Sequence, residues 1–192
     1  MAVEFELKYR CSEETLALLR ADLPGQEQHY AMETAYYDTP AGKLSALRYT
    51  LRRRQENDRS VCTLKVPAAD GGRGEFEVDC ETIEAAIPML CKLSGVDLRA
   101  LTEAGLVQVC GAKFTRIAKT FAWNGAVIEL ALDKGVLTGG GREEPLTEAE
   151  LELKDGSRAD MQTYGAFLSA AYGLEPESRS KFSRALALAK GE

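Results

Sequence analysis

The sequence has a single histidine, His29, and its five cysteines, Cys11, Cys62, Cys80, Cys91 and Cys110, include no Cys-x-x-Cys pair. A multi-histidine metal centre is therefore excluded within one chain. The odd, scattered cysteines read as reduced packing residues, with no zinc site. No apolar run approaches membrane length, and the chain opens as a strand in place of a basic, apolar export signal, so a cytosolic protein without a membrane partner is expected. The run Gly139-Gly140-Gly141 lacks the Gly-x-Gly-x-x-Gly pattern of a dinucleotide loop and reads as a flexible segment. A net charge of −6 argues against general nucleic-acid binding, while leaving room for a local basic site that takes a small anion.

What the chain does have is alternation of charge and grease. Glu4-Phe5-Glu6-Leu7-Lys8 recurs as Glu150-Leu151-Glu152-Leu153-Lys154. In an extended strand residues two apart share a face, so each copy presents two carboxylates and an ammonium on one side and apolar residues on the other. The same period places Arg52 with Arg54, Thr63 with Lys65, Glu129 with Asp133, and Arg73 with Glu75, Glu77 and Asp79; Arg116 follows Phe114 in another such stretch. Arg53 points away from its neighbours. Solvated sheet faces usually mix Thr, Ser, Lys, Glu and Gln, whereas these are nearly pure Glu, Asp, Arg and Lys.

Two arrangements fit this pattern: a charged surface, or the lining of a closed sheet whose apolar side is covered by helices. In the second, buried charges must compensate one another, with acids gathered round divalent cations and bases round a polyanion. Carboxylate oxygens suit Mg²⁺ or Mn²⁺ better than zinc. At 192 residues, with 45% hydrophobic and 28% charged, the chain is expected to form one domain spanning 1–192.

The periodicity predicts strands over 2–10, 28–38, 47–56, 60–67, 73–80, 113–123 and 126–134, the last two joined by an Asn124-Gly125 hairpin, and another through the second Glu-x-Glu-x-Lys copy. Ser12 is placed to cap a helix that Pro24-Gly25 ends, and Ser157 one that Gly173 closes. Thr82 opens a short helix that Pro88 argues against continuing to 93, and a further helical stretch covers 97–104. Lys181 and Arg184 fall in a last helical or irregular segment, where spacing alone favours a solvated helix face.

Glu4-x-Glu6-x-Lys8, Tyr36-Tyr37-Asp38-Thr39-Pro40, Leu51-Arg52-Arg53-Arg54, Thr63-Leu64-Lys65, Arg73-x-Glu75-x-Glu77, Phe114-x-Arg116, Glu129-x-Ala131-x-Asp133-x-Gly135, Glu150-x-Glu152 and Ser180-Lys181 occur in an order that resembles the CYTH-domain proteins, the triphosphate tunnel metalloenzymes. The strings resemble the bacterial inorganic triphosphatase branch most. This likeness implies an α+β fold: an eight-stranded antiparallel β-tunnel, charged inside, with helices packed on the outside. It implies a metal-dependent hydrolase of inorganic triphosphate, with a small-molecule triphosphate as partner and a homodimer compatible with the sequence. Class IV adenylate cyclase, thiamine triphosphatase (with Tyr36, Tyr37 and Trp123 available to hold the rings) and a non-catalytic polyphosphate-binding module are the alternatives.

Carried onto this sequence, the resemblance implies Mg²⁺ or Mn²⁺ held by Glu4, Glu6, Asp133, Glu150 and Glu152. The anion would be held by Lys8, Arg52, Arg54, Lys65, Arg116, Lys181 and Arg184. Glu4, Glu6, Lys8 and Lys65 would lie nearest the chemistry, with Glu75, Glu77 and Glu129 in support. Arg184-Ala185 departs from the Arg-Gly pair of many relatives.

Overall fold

A computed structural model describes residues 5–68 and 72–192. Glu4 lies outside the described residues, as does Asp70-Gly71 of the loop that precedes residue 73. The strands are β1 (Glu6–Arg10), β2 (Gln28–Asp38), β3 (Thr50–Glu56), β4 (Arg59–Pro67), β5 (Arg73–Asp79), β6 (Val107–Trp123), β7 (Ala126–Gly139), β8 (Arg142–Asp155) and the two-residue β9 (Glu175–Pro176). The helices are α1 (Glu13–Asp22), α2 (Lys43–Ala46), α3 (Ile83–Ser94), α4 (Leu98–Leu101), α5 (Arg158–Tyr172) and α6 (Lys181–Lys190). No helix among the described residues is long and apolar enough to cross a membrane.

All pairings are antiparallel, in the order β5-β4-β3-β2-β6-β7-β8-β1-β9. The mostly-sheet antiparallel fold with helices is the one expected, with β9 as an additional short strand and β5 and β9 as the ends of the order. Register sorts the side chains. Lys65 opposes Glu75, Arg52 opposes Thr63 and Tyr36, Arg116 opposes Tyr30 and Asp133, Asp133 opposes Glu148, and Glu152 opposes both Glu129 and Glu6. Directly paired residues share a face, so these belong to one charged face.

The other face is apolar. Leu16 and Leu19 of α1 and Met161, Tyr164 and Leu168 of α5 pack on Tyr9, Ile128, Leu130 and Leu151. Leu44 of α2, Ile83, Ala86 and Leu90 of α3 and Leu98 of α4 pack on Leu51, Cys62 and Leu64. Burial raises the thiols of Cys11 and Cys62 to about 11 and that of Cys110 to about 12, and all five cysteines are free. Lys119 also lies on this side, donating to the Leu23 and Arg20 carbonyls and so closing the end of α1.

Four expectations change. The sixth helix does not pack outside: Phe182 and Ala185 of α6 lie against Met32, Tyr36, Phe114, Leu137 and Leu146, all on the charged face, with the Phe182 ring 5.0 Å from Tyr36. Apolar residues at one end of that face gave α6 a seat. Second, α3 continues through Pro88. Caps at both ends and a buried Ile83, Ala86 and Leu90 face outweigh the lost backbone bond. Third, β6 begins at Val107 and β7 continues to Gly139, longer than predicted, while α4 is shorter. Fourth, Gly139-Gly140-Gly141 is no flexible run. Gly140 and Gly141, with φ of 59° and 74°, form the tight turn of the β7–β8 hairpin, and side chains at Gly139 or Gly140 would run into α6.

The Tyr36-Tyr37-Asp38-Thr39-Pro40 string is architectural. Buried Asp38 accepts from the backbone N–H of Thr39 at 2.7 Å, Leu44 at 2.8 Å and Ser45 at 3.0 Å, fixing α2 to the end of β2. Asp38→Ala should cost about 3 kcal/mol of unfolding free energy in urea titrations, because these buried donors lose their acceptor, and Asp38→Asn should cost less.

Candidate active site

The charged face is withdrawn from solvent. Side chains of Arg52, Lys8, Lys181 and Arg116 are only 12%, 14%, 11% and 17% exposed, which a solvated sheet face would not give. Of the two arrangements open from sequence, a solvated charged surface does not fit; the charged face is a partly buried lining of a sheet whose pairing order ends at β5 and β9. Each charge there needs a partner, and the partners divide the face into three groups.

At one end β3, β4 and β5 bring Arg52, Arg54, Lys65, Glu75 and Glu77 together. Arg52 Nη2 lies 3.2 Å from Glu75 and 3.6 Å from Glu77, Lys65 Nζ is 2.7 Å from Glu75, and Thr63 donates to Glu77 at 2.9 Å. Arg54 pairs with Glu56 at 2.5 Å. Among the described residues the Nε donors of Arg52, Arg54 and Arg184 are buried without a hydrogen-bond partner, and the first two stand together here. Burial, then the nearby Arg52 and Arg116 charges, push the Arg54 guanidinium below its ordinary value despite Glu56. Crowded cations with spare donors are an anion-binding arrangement.

In the middle β7 and β8 bring Asp133 and Glu150 together with Glu148, ligand oxygens of all three lying within 4.8 Å of one another. Cations already occupy this trio. Arg116 forks onto Asp133 at 2.7 Å through Nε and Nη2 and reaches Glu150 at 2.5 Å. Lys181 Nζ lies 2.8 Å from Asp133 and 2.9 Å from Glu150 and also bonds Glu148. Burial alone would raise Glu150, but Lys181 and Arg116 hold it well below the carboxylate range. Burial alone would likewise lower Lys181, yet Glu150, Asp133 and Glu148 raise it. Burial wins at Glu148, whose carboxyl lies above its ordinary value.

Arg184 is buried, bonding Glu148 at 2.8 Å and Glu144 at 3.1 Å, so the solvated helix face expected for α6 is replaced by burial on the charged face. Sequence reading missed Glu148 because the motif was read from Glu150; the period-two series begins one step earlier, at Glu148-x-Glu150-x-Glu152. Glu56 was missed too, although it continues the Arg52 and Arg54 face.

At the other end Glu129, Glu152 and Glu6 stand in one row across β7, β8 and β1. Among the described residues their ion-pair partners are lysines: Lys8 lies 2.7 Å from Glu6, and Lys154 lies 2.8 Å from Glu152 and 3.4 Å from Glu129. Their side chains are more open than the trio. Among the described residues the acids close enough together to share one ion are Asp133, Glu148 and Glu150; the row adds hard oxygen donors of the type Mg²⁺ or Mn²⁺ takes, spread over three strands. His29 lies on the opposite side of β2 beside Glu27, away from these groups.

Comparison with known proteins fits this geometry. The CYTH domain family model matches residues 2–186. The chain belongs to the CYTH domain family. It is 28% identical over 162 residues to an inorganic triphosphatase of Haemophilus influenzae, a match covering 83% of this chain and 46% of that protein. The chain thus spans about half the length of that relative. A Bacillus halodurans structure provisionally assigned as an adenylate cyclase superposes with a TM-score of 0.68 at 18% identity, covering 95% of this chain and 96% of that one. A provisional adenylyl cyclase from Hippeastrum with a dominant triphosphatase activity gives 0.65 at 20% identity, covering 98% and 96%. These two similarities establish the fold.

Arg53 tests the register. It lies on the opposite face, bonding Ser60 and Gln55 at 3.1 Å each. Calorimetric titration with tripolyphosphate should find Arg53→Ala within about 3-fold of the parent affinity, whereas Arg52→Ala should weaken binding about 10-fold or more, the worth of one charge-assisted contact.

Proposed function

We propose that this chain hydrolyses inorganic triphosphate to pyrophosphate and phosphate with the help of a divalent cation. The observation that carries the reading is the pair of buried Arg52 and Arg54 side chains with spare Nε donors on the same face as the Glu6, Glu129 and Glu152 row. A pure polyanion binder needs the arginines and not the acids. Similarity to the Haemophilus influenzae inorganic triphosphatase supports the choice of substrate.

In this reading Arg52 and Arg54 hold phosphate oxygens through forked hydrogen bonds, and Lys65 and Lys8 add point charges. Glu75 orients Arg52 and Lys65 by bridging them. Glu6, Glu129 and Glu152, with Glu4 added by the resemblance of the Glu4-x-Glu6-x-Lys8 string, would hold Mg²⁺ or Mn²⁺, which would supply positive charge to phosphate oxygens and acidify water. The water oxygen bonds to a terminal phosphorus as the phosphoanhydride bond breaks, and pyrophosphate leaves with the electron pair. His29 lies on the far face, so a carboxylate of the charged face would take the water's proton. Positioning and charge supply most of the rate.

Thiamine triphosphate is disfavoured by packing. Trp123 lies 5.0 Å from Tyr164 in a tilted contact on the helix side, Tyr37 joins the cluster under α3, and Tyr36 is covered by Phe182. None is left as a platform for the rings.

Phosphate release from inorganic triphosphate, thiamine triphosphate and ATP, each with Mg²⁺, Mn²⁺ or EDTA, tests the reading. The expected result is metal-dependent release chiefly from inorganic triphosphate, reduced about 10²-fold or more in Glu152→Gln. Cyclic AMP and pyrophosphate from ATP without orthophosphate would move the chain to the cyclases.

A further inference from the structure

A helix laid on a sheet ordinarily turns charged and polar residues outward to water. Of the 12 residues of α3, only Glu84, Lys92 and Ser94 are polar. Ile83, Ala86 and Leu90 are buried against the sheet, with Ile87 and Cys91 packed beside them. The outer side is left to Ala85, Met89 and Leu93, which follow one another at a spacing of four and so form one ridge. All three are exposed, Met89 by 39% and Leu93 by 54%. Among the described residues nothing covers this ridge.

The charges beside the ridge define what fits it. Glu84 stands in the first turn of α3 and Lys92 in the last, both exposed and on the same flank. Among the described residues neither has an ion-pair partner within the chain. A second α3 laid antiparallel on the first, about a two-fold axis at Met89, matches each of these features. Met89 then packs on its own counterpart, and the small Ala85 receives Leu93 of the partner subunit. Glu84 comes opposite Lys92 of the partner subunit, and symmetry makes that pair twice. Antiparallel macrodipoles add to the match. A parallel arrangement would instead set Glu84 against Glu84 and Lys92 against Lys92.

We propose that α3 is a self-association surface and that its occupant is a second copy of this chain, packed antiparallel across the Ala85, Met89 and Leu93 ridge. The surface lies on the helix-covered side of the sheet, so a dimer formed through it leaves the charged face open. Two helices of about 18 Å bury less than the roughly 800 Å² per partner of a standard interface, so the association is reversible and in the micromolar range. None of this depends on the triphosphatase reading.

Sedimentation equilibrium of the full chain, loaded from micromolar to submillimolar concentration without substrate, tests the proposal. A monomer–dimer equilibrium is expected. Leu93→Lys should raise its dissociation constant about 10-fold or more, because both copies lose an apolar anchor. Glu84→Lys or Lys92→Glu should each raise it about 5-fold, since like charges then face each other at both symmetry-related places. Glu84→Lys combined with Lys92→Glu restores opposite charges across the pair and should return the constant to within about 3-fold of the parent. The substituted side chains are exposed, so urea midpoints near the parent's should accompany the single changes and separate lost association from lost folding. A chain that stays monomeric throughout the range would overturn the proposal. So would a dimer indifferent to Leu93→Lys, or a charge exchange that associates more weakly than either single variant.

Discussion

Charge withdrawn from water must be compensated where it stands, and in this protein that requirement governs one whole face of a sheet. The strands supply the charges by simple alternation, and the antiparallel register decides which charges meet. Where Arg116 meets Asp133, and Asp133 meets Glu148, the neighbours neutralise one another with the aid of Lys181 and Arg184 from α6. Where Arg52 and Arg54 crowd together, and where Glu6, Glu129 and Glu152 stand in a row, compensation is less complete. A polyanion at the first place and a divalent cation at the second would finish it.

The opposite face is built from ordinary hydrophobic burial. Leu19, Ile128, Leu130 and Met161 on one side, and Leu44, Leu64, Leu90 and Leu98 on the other, are wholly or almost wholly removed from solvent under the helices. This core holds the strands in register without using the charged residues, so the inner side chains are available for chemistry. The helix that breaks the rule, α6, carries both kinds of surface: Phe182 and Ala185 for the apolar end and Lys181 and Arg184 for the acids.

Much of this was legible in the chain because a period of two is unambiguous once several strands show it. Glu6 with Lys8, Arg52 with Arg54 and Asp133 with Glu129 fall on the face that alternation assigned, and Arg53 falls on the other. Ser12, Thr82 and Ser157 cap helices as their side chains predict. The position of α6 was not legible, since a ten-residue amphipathic helix carries no record of which face of a distant sheet accepts it. Nor could alternation reveal that Lys181 meets Asp133 and Glu150, because that depends on tertiary approach. Pro88 misled through a local rule that packing overrode, and the role of Asp38 as a clamp on α2 depends on backbone donors that alternation does not reveal.

The division of the charged face into a self-neutralised middle and two ligand-seeking ends is tested most directly by anomalous scattering from a crystal grown with tripolyphosphate and Mn²⁺. Manganese beside Glu6, Glu129 and Glu152, with phosphates on Arg52 and Arg54 and Lys181 still against Asp133, is the predicted result. Manganese seated within Asp133, Glu148 and Glu150 with Lys181 displaced onto phosphate would contradict it.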